Sequence, residues 1–155
     1  MIIYSPTHGK MTFEGMIDRI IQYMNANNYE YKIIIGTDSS PRKNGEVEIV
    51  TAIVIQRLGK GGIYFWQKQK FNKIFGLRTR IYQEAMTSLD MARRIIEQGE
   101  IPLILDDLEI HVDIGTNGET RAMIKEIVGM VTGNGFPVKT KPDAYVASKV
   151  ADRHT

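Results

Sequence analysis

The chain of 155 residues contains no cysteine. A disulfide framework and a zinc–thiolate centre are thereby excluded. No apolar run approaches the roughly 18 residues of a membrane-spanning helix. The opening Met1-Ile2-Ile3-Tyr4-Ser5-Pro6 has neither the basic start nor the long apolar stretch of a signal peptide, so the expected location is the cytoplasm. Internal repeats and low-complexity segments are absent too. Charge of one sign is not in excess: 20 basic and 18 acidic side chains leave +2, too little to name a partner. With 43% hydrophobic and 25% charged residues, one globular domain over residues 1–155 is expected.

What the chain does have is the stretch Lys32-Ile33-Ile34-Ile35-Gly36-Thr37-Asp38-Ser39-Ser40. A β-branched run bounded by small polar residues reads as a central strand buried on both faces. It presents a carboxylate, Asp38, where the strand leaves the core. Asp38 is either held rigidly at the mouth of a site or caps a turn.

Residues 1–11 read as an irregular lead-in. Phe13, Met16, Ile17, Ile20, Ile21 and Met24 then form one helical stripe, with Thr12 as N-cap and Asn25-Ala26-Asn27-Asn28 as its end. Strands follow at about 31–37, Val47–Gln56 and Ile63–Phe71. Turn clusters at Pro41–Gly45 and Leu58–Gly62 join them as an antiparallel meander. Between Lys60 and Arg80 every charged residue is basic: Lys60, Lys68, Lys70, Lys73, Arg78 and Arg80. Tyr64, Phe65, Trp66, Phe71 and Phe75 are interleaved. That pattern suits a phosphate backbone with stacked bases, or a sheet edge guarded by lysines.

A helix is predicted over Arg80–Gln98, with Thr79 as a possible cap and Gly99 as its stop. Glu84 falls inside its apolar stripe of Ile81, Ala85 and Leu89. A carboxylate there must be paired, metal-bound or part of a site. Leu108, Ile110, Val112 and Ile114 alternate with Glu109, His111 and Asp113, as in a half-buried strand. The helix before it makes a parallel crossover, which would bring Asp113 beside Asp38. His111 points the same way along the strand, as a site neighbour or as a structural histidine. A helix over Asn117–Val131, a short strand over Phe136–Thr140 and a final helix from Pro142 complete the order. Asp143 either complements that last helix's dipole or faces a site.

From the second element on, this order resembles the ribonuclease H-like fold: an α/β mixed five-stranded sheet, three strands antiparallel and the rest parallel, with helices on both faces. The helix at 13–27 is an addition to that core. Gly36-Thr37-Asp38-Ser39-Ser40, Arg80-Ile81-Tyr82-Gln83-Glu84-Ala85-Met86, Val112-Asp113 and Pro142-Asp143-Ala144-Tyr145-Val146-Ala147 look like that family's four acidic positions. Thr37-Asp38-Ser39 and His111-Val112-Asp113-Ile114-Gly115-Thr116-Asn117-Gly118 resemble, more closely, the YkuK-like family of ribonuclease H-related proteins.

The resemblance implies a nuclease that uses two Mg²⁺ or Mn²⁺ ions about 3.5–4 Å apart. Asp38 would bridge them, Glu84 and Asp113 would each hold one side, and Asp143 would complete the second ion or orient water. Lys68, Lys70, Arg78 and Arg80 would contact the backbone of the nucleic acid, RNA or DNA. The family's basic handle motif and catalytic loop histidine have no counterpart, His154 being poorly placed. Two alternatives stay open. One is a silent nucleic-acid or protein-binding module on the same fold. The other is an ATP-binding domain, because Asp113-Ile114-Gly115-Thr116 also resembles the phosphate loop of actin- and sugar-kinase-like ATPases.

Overall fold

The computed structural model describes residues 1–26, 30–59, 61–98, 101, 107–115, 118, 120–141, 150–151 and 153–154. Strands β1 (Ile3–Ser5) and β2 (Gly9–Met11) precede helix α1 (Phe13–Asn25). Strands β3 (Tyr31–Pro41), β4 (Val47–Arg57) and β5 (Gly61–Phe71) lead to helix α2 (Leu77–Gln98). Strand β6 (Leu108–His111), helix α3 (Ile124–Gly133) and strand β7 (Val138–Lys139) follow. All the strands join one sheet in the order β2-β1-β5-β4-β3-β6-β7. The meander β3–β4–β5 is antiparallel throughout, and β6 and β7 add in parallel beyond β3.

Two expectations about the sheet need correction. It has seven strands where five were expected. The lead-in at 1–11 is not irregular: it folds as a hairpin whose Tyr4 pairs with Trp66. Three-residue strands are too short to show a period. The hairpin is held instead by burial of Ile3 and by the Ser5 hydroxyl, which accepts from the amides of Thr7 and His8 at 3.2 Å each. Helix α1 begins where its cap predicts, since Thr12 Oγ1 accepts from the Gly15 amide at 3.0 Å. Helix α3 starts later than Asn117: a 3-10 turn over Arg121–Met123 precedes Ile124.

The three α-helices among the described residues pack on one sheet face. Phe13, Met16, Ile20, Ile81, Leu89, Ile95, Ile127 and Val131 share a core there with Ile33, Ile35, Ile53, Ile55, Leu108 and Ile110. The opposite face buries Ile34, Val50, Ala52 and Val54 against Val150 and Ala151. The expected final helix over 142–149 lies outside the described residues, so the second layer is seen only at Val150–Ala151. Isoleucine suits β3 because both its faces are covered, as a run without alternation requires. Strand β6 differs from expectation in the same way. All four of its residues are buried, so Glu109 and His111 do not face solvent.

Candidate functional site

Glu84 enters from α2, on the helix-covered face, and is 9% exposed. Its Oε1 accepts from the Ser39 hydroxyl at 2.6 Å. One turn on, Ser88 Oγ lies 2.6 Å from Thr37 Oγ1. Thr37 and Ser39 are alternate residues of β3, so period two aims both at the helix. They give α2 a polar seam where an apolar stripe would otherwise run. Burial pushes the Glu84 carboxyl up to about 7. The Ser39 hydrogen bond pulls it down, and the negative charges of Asp38 and Asp113 push it further up.

The same alternation sends Asp38 to the face of Ile34 and Gly36. Strand β6 pairs in parallel with β3 up to Gly36 with His111, and Asp38 and Asp113 each lie two residues beyond that last pair. The parallel crossover therefore carries both acids past the same end of the pairing, and both act on Glu84. Asp38 and Asp113 are half-buried. Asp113 has a cation already: Lys141 Nζ lies 2.8 Å from its Oδ1. Thr37, Glu84, Ser88, His111 and Asp113 line one small pocket beside α2. Parallel strands that end at a crevice are the usual place for a site in such sheets.

Beside this cluster lies a network that the alternating pattern concealed. Glu109 is 6% and His111 4% exposed. His111 Nε2 sits 2.6 Å from Glu109 Oε1, and Lys32 Nζ lies 3.2 Å from Glu109 Oε2. Burial pushes Glu109 up, but the bonds and charges of His111 and Lys32 outweigh it and hold the carboxyl low. Burial holds His111 below its ordinary value, with Glu109 opposing. A neutral imidazole facing an ionised carboxylate carries its proton on Nε2. Nδ1 is then a bare acceptor, buried and without a hydrogen-bond partner among the described residues. The sequence signal was present: two charged residues in a strand with a parallel neighbour on each side need a buried partner, and Lys32 supplies it.

Asp143 lies outside the described residues. The four basic candidates divide between the two faces. Lys68 and Lys70 are exposed on β5, and Lys68 pairs across β4 Val50 with Asp38 on the same face. Lys68 also reaches Glu48 at 3.8 Å. Arg78 and Arg80 stand on the first turns of α2, on the other face. Arg78 is bound to Glu126 at 2.9 Å, and Arg80 Nη1 donates to Ser39 Oγ at 3.5 Å. Arg80 thereby touches the residue that holds Glu84.

Carboxylate oxygens are the donors that Mg²⁺ and Mn²⁺ prefer. Among the described residues, however, no three acidic or histidine side chains close around one point that an ion would fill. Asp38 and Asp113 fit the open mode of binding, in which one or two carboxylates hold the ion and phosphate and water supply the rest.

A family profile described as Ribonuclease H-like matches residues 15–155. The Uncharacterized protein YkuK of Bacillus subtilis (strain 168) is 30% identical over 168 residues, 99% of this chain and 96% of that protein. A crystal structure of prototype foamy virus protease-reverse transcriptase is 9% identical, with a TM-score of 0.38 over 81% of this chain. The chain spans 20% of that viral polypeptide, and so slight a likeness bears no weight. By its profile match and by its YkuK relative, the chain belongs to the YkuK-like family of ribonuclease H-like proteins.

Proposed function

We propose that this protein is a cytoplasmic, metal-dependent phosphodiester hydrolase acting on nucleic acid, with Asp38, Glu84 and Asp113 as its acids. The supporting observation is that a buried Glu84 is held near neutrality by burial and by the two other acids. Structural carboxylates are usually paired with cations, and perturbed acids in a crevice mark functional sites. Asp38 and Asp113 would hold the ion, and Asp143 is proposed as a further ligand. Once bound, a divalent cation polarises the phosphoryl oxygens and lowers the pKa of the attacking water. Glu84 stands where it can hold or release a proton close to pH 7. Ser39 orients that carboxyl through its hydroxyl and through a backbone hydrogen bond. Lys68 and Lys70 would take the phosphates of a strand crossing the Asp38 face, and Arg80 those near α2.

Labelled single-stranded and duplex RNA and DNA, incubated with Mn²⁺ or Mg²⁺, test this directly. Cleavage should require metal and fall at least about 100-fold in Asp38→Asn. A second reading, a binding module without catalysis, is favoured by the Lys141 ammonium on Asp113, which supplies in advance the charge a metal would bring. Metal-independent binding of nucleic acid, kept by Asp38→Asn and without cleavage, would establish that reading.

A further inference from the structure

A cavity far larger than the crevice at the acids lies elsewhere. It measures about 470 Å³ and lies on the other flank of α2, between that helix and the second half of β5. Gln67, Gln69 and Phe71 form its floor; Gln83, Thr87 and Met91 form one wall. Gln67 is only 7% exposed, and its side chain has no hydrogen-bond partner among the described residues. The amide atoms are not sealed in the core but open on the cavity, where water or a ligand can serve them. The amide is not there by accident of edge position. Thr37, Thr51 and Gln67 stand opposite one another on three neighbouring strands, a polar row under α2. That row sets Gln67 about 10 Å from Thr37, two inter-strand spacings away from the acids.

The lining narrows the ligand. Asp90 and Glu97 stand beside Arg93 and Arg94 on the rim, and Met1 at the start of the chain lines it too, so neither sign of charge dominates strongly. Both arginines are engaged, Arg93 with Asp90 at 3.9 Å and Arg94 over the Phe13 ring at 5.1 Å. The glutamines instead offer a donor and an acceptor side by side, the complement of the edge of a heterocyclic base. Phe71 and Met91 supply apolar surface for its ring. The volume lies within the range of small-molecule sites.

We propose that this cavity is a nucleobase-binding site, read chiefly by Gln67. The base is delivered either by a free nucleoside or by an unpaired nucleotide of a strand. The site is separate from the carboxylate cluster and does not depend on hydrolysis there.

The test is amide chemical-shift mapping of the full chain without divalent metal. The probes are the four ribonucleosides, ribose as control, and single-stranded RNA octamers. Saturable shifts at Gln67, Gln69 and Thr87 with a nucleoside, absent with ribose, are expected for the free ligand. The same shifts with octamer alone assign the base to a strand. Gln67→Leu should weaken either binding about fivefold or more, the worth of one hydrogen bond. Gln83→Ala, at a half-buried position, serves if the first variant does not fold. Silence at these residues with every probe, or binding untouched by both variants, would overturn the proposal. Asp38→Asn should leave the shifts intact, so a failed carboxylate site and a failed cavity are told apart.

Discussion

Glu84 and Glu109 are two glutamates of nearly equal burial, 9% and 6% exposed, in neighbouring elements. Their chemistry diverges because their partners do. Glu109 has a lysine and a histidine around it and is held ionised. Glu84 has a hydroxyl and two like charges and is raised to about 7. Burial alone therefore does not tell a structural carboxylate from a functional one; the sign of the surrounding charge does. Glu109 ties β6 to β3 through Lys32. Glu84 gains nothing for the fold by being ionised, which is what a group kept for chemistry looks like.

Four substitutions sharpen or break this contrast. The largest effect is expected from Glu109→Leu. It strands the buried His111 with both ring nitrogens unpaired and leaves Lys32 without its partner. Denaturant unfolding at pH 7 should show a loss of roughly 2–4 kcal/mol.

Glu84 should behave in the opposite sense. Its folded pKa of about 7 exceeds the ordinary 4.5, so the folded state binds the proton more tightly. The stability this gives is full below pH 4.5 and is lost as pH rises through 7. A shift of this size is worth up to roughly 3 kcal/mol. Wild type without metal should weaken over that window. Glu84→Gln should flatten the profile and be the more stable protein at pH 8. An unchanged slope in the variant would remove Glu84 as its source.

Thr37→Val leaves Ser88 without its 2.6 Å partner under α2 and should cost about 1–2 kcal/mol in thermal unfolding. Smallest is Lys141→Met. The Lys141 side chain is 57% exposed, so stability should move by no more than about 0.5 kcal/mol. Affinity for Mn²⁺, read by calorimetry, should nevertheless rise, because Asp113 loses its internal cation. Unchanged affinity would mean that Asp113 does not bind the ion.

Much of this was legible in the chain, for physical reasons that differ by region. The α1 stripe and its Thr12 cap are local signals, and helix and cap stand where they predict. The isoleucine run of β3 and the turn at Asn44-Gly45 specify the meander. Both those turn residues take positive φ, 59° and 74°, and a Cβ on Gly45 would run into the Phe75 ring. Glu84 was visible because a charge in an apolar stripe needs a reason. That Asp113 and Asp38 follow the same end of two parallel strands was legible through the crossover rule alone. What stayed hidden depends on contacts distant in sequence. The hairpin at 1–11 is made by its pairing with β5. Strand β6 reads as alternating only until a strand lies on each side of it. Lys141, 28 positions beyond Asp113, reaches it only because β7 runs beside β6. No periodicity marks Ser39 as the partner of Glu84.

The most direct test of the central claim is thermal unfolding of wild type and Asp38→Asn at pH 7.5, with and without Mn²⁺ or Mg²⁺. An ion that binds only the folded state at 100 times its Kd adds about 2.7 kcal/mol. For a chain of this length that is a rise in Tm of roughly 5–10 °C. The account predicts this rise in wild type and its absence in Asp38→Asn. No response in wild type, or an equal response in both proteins, would contradict it.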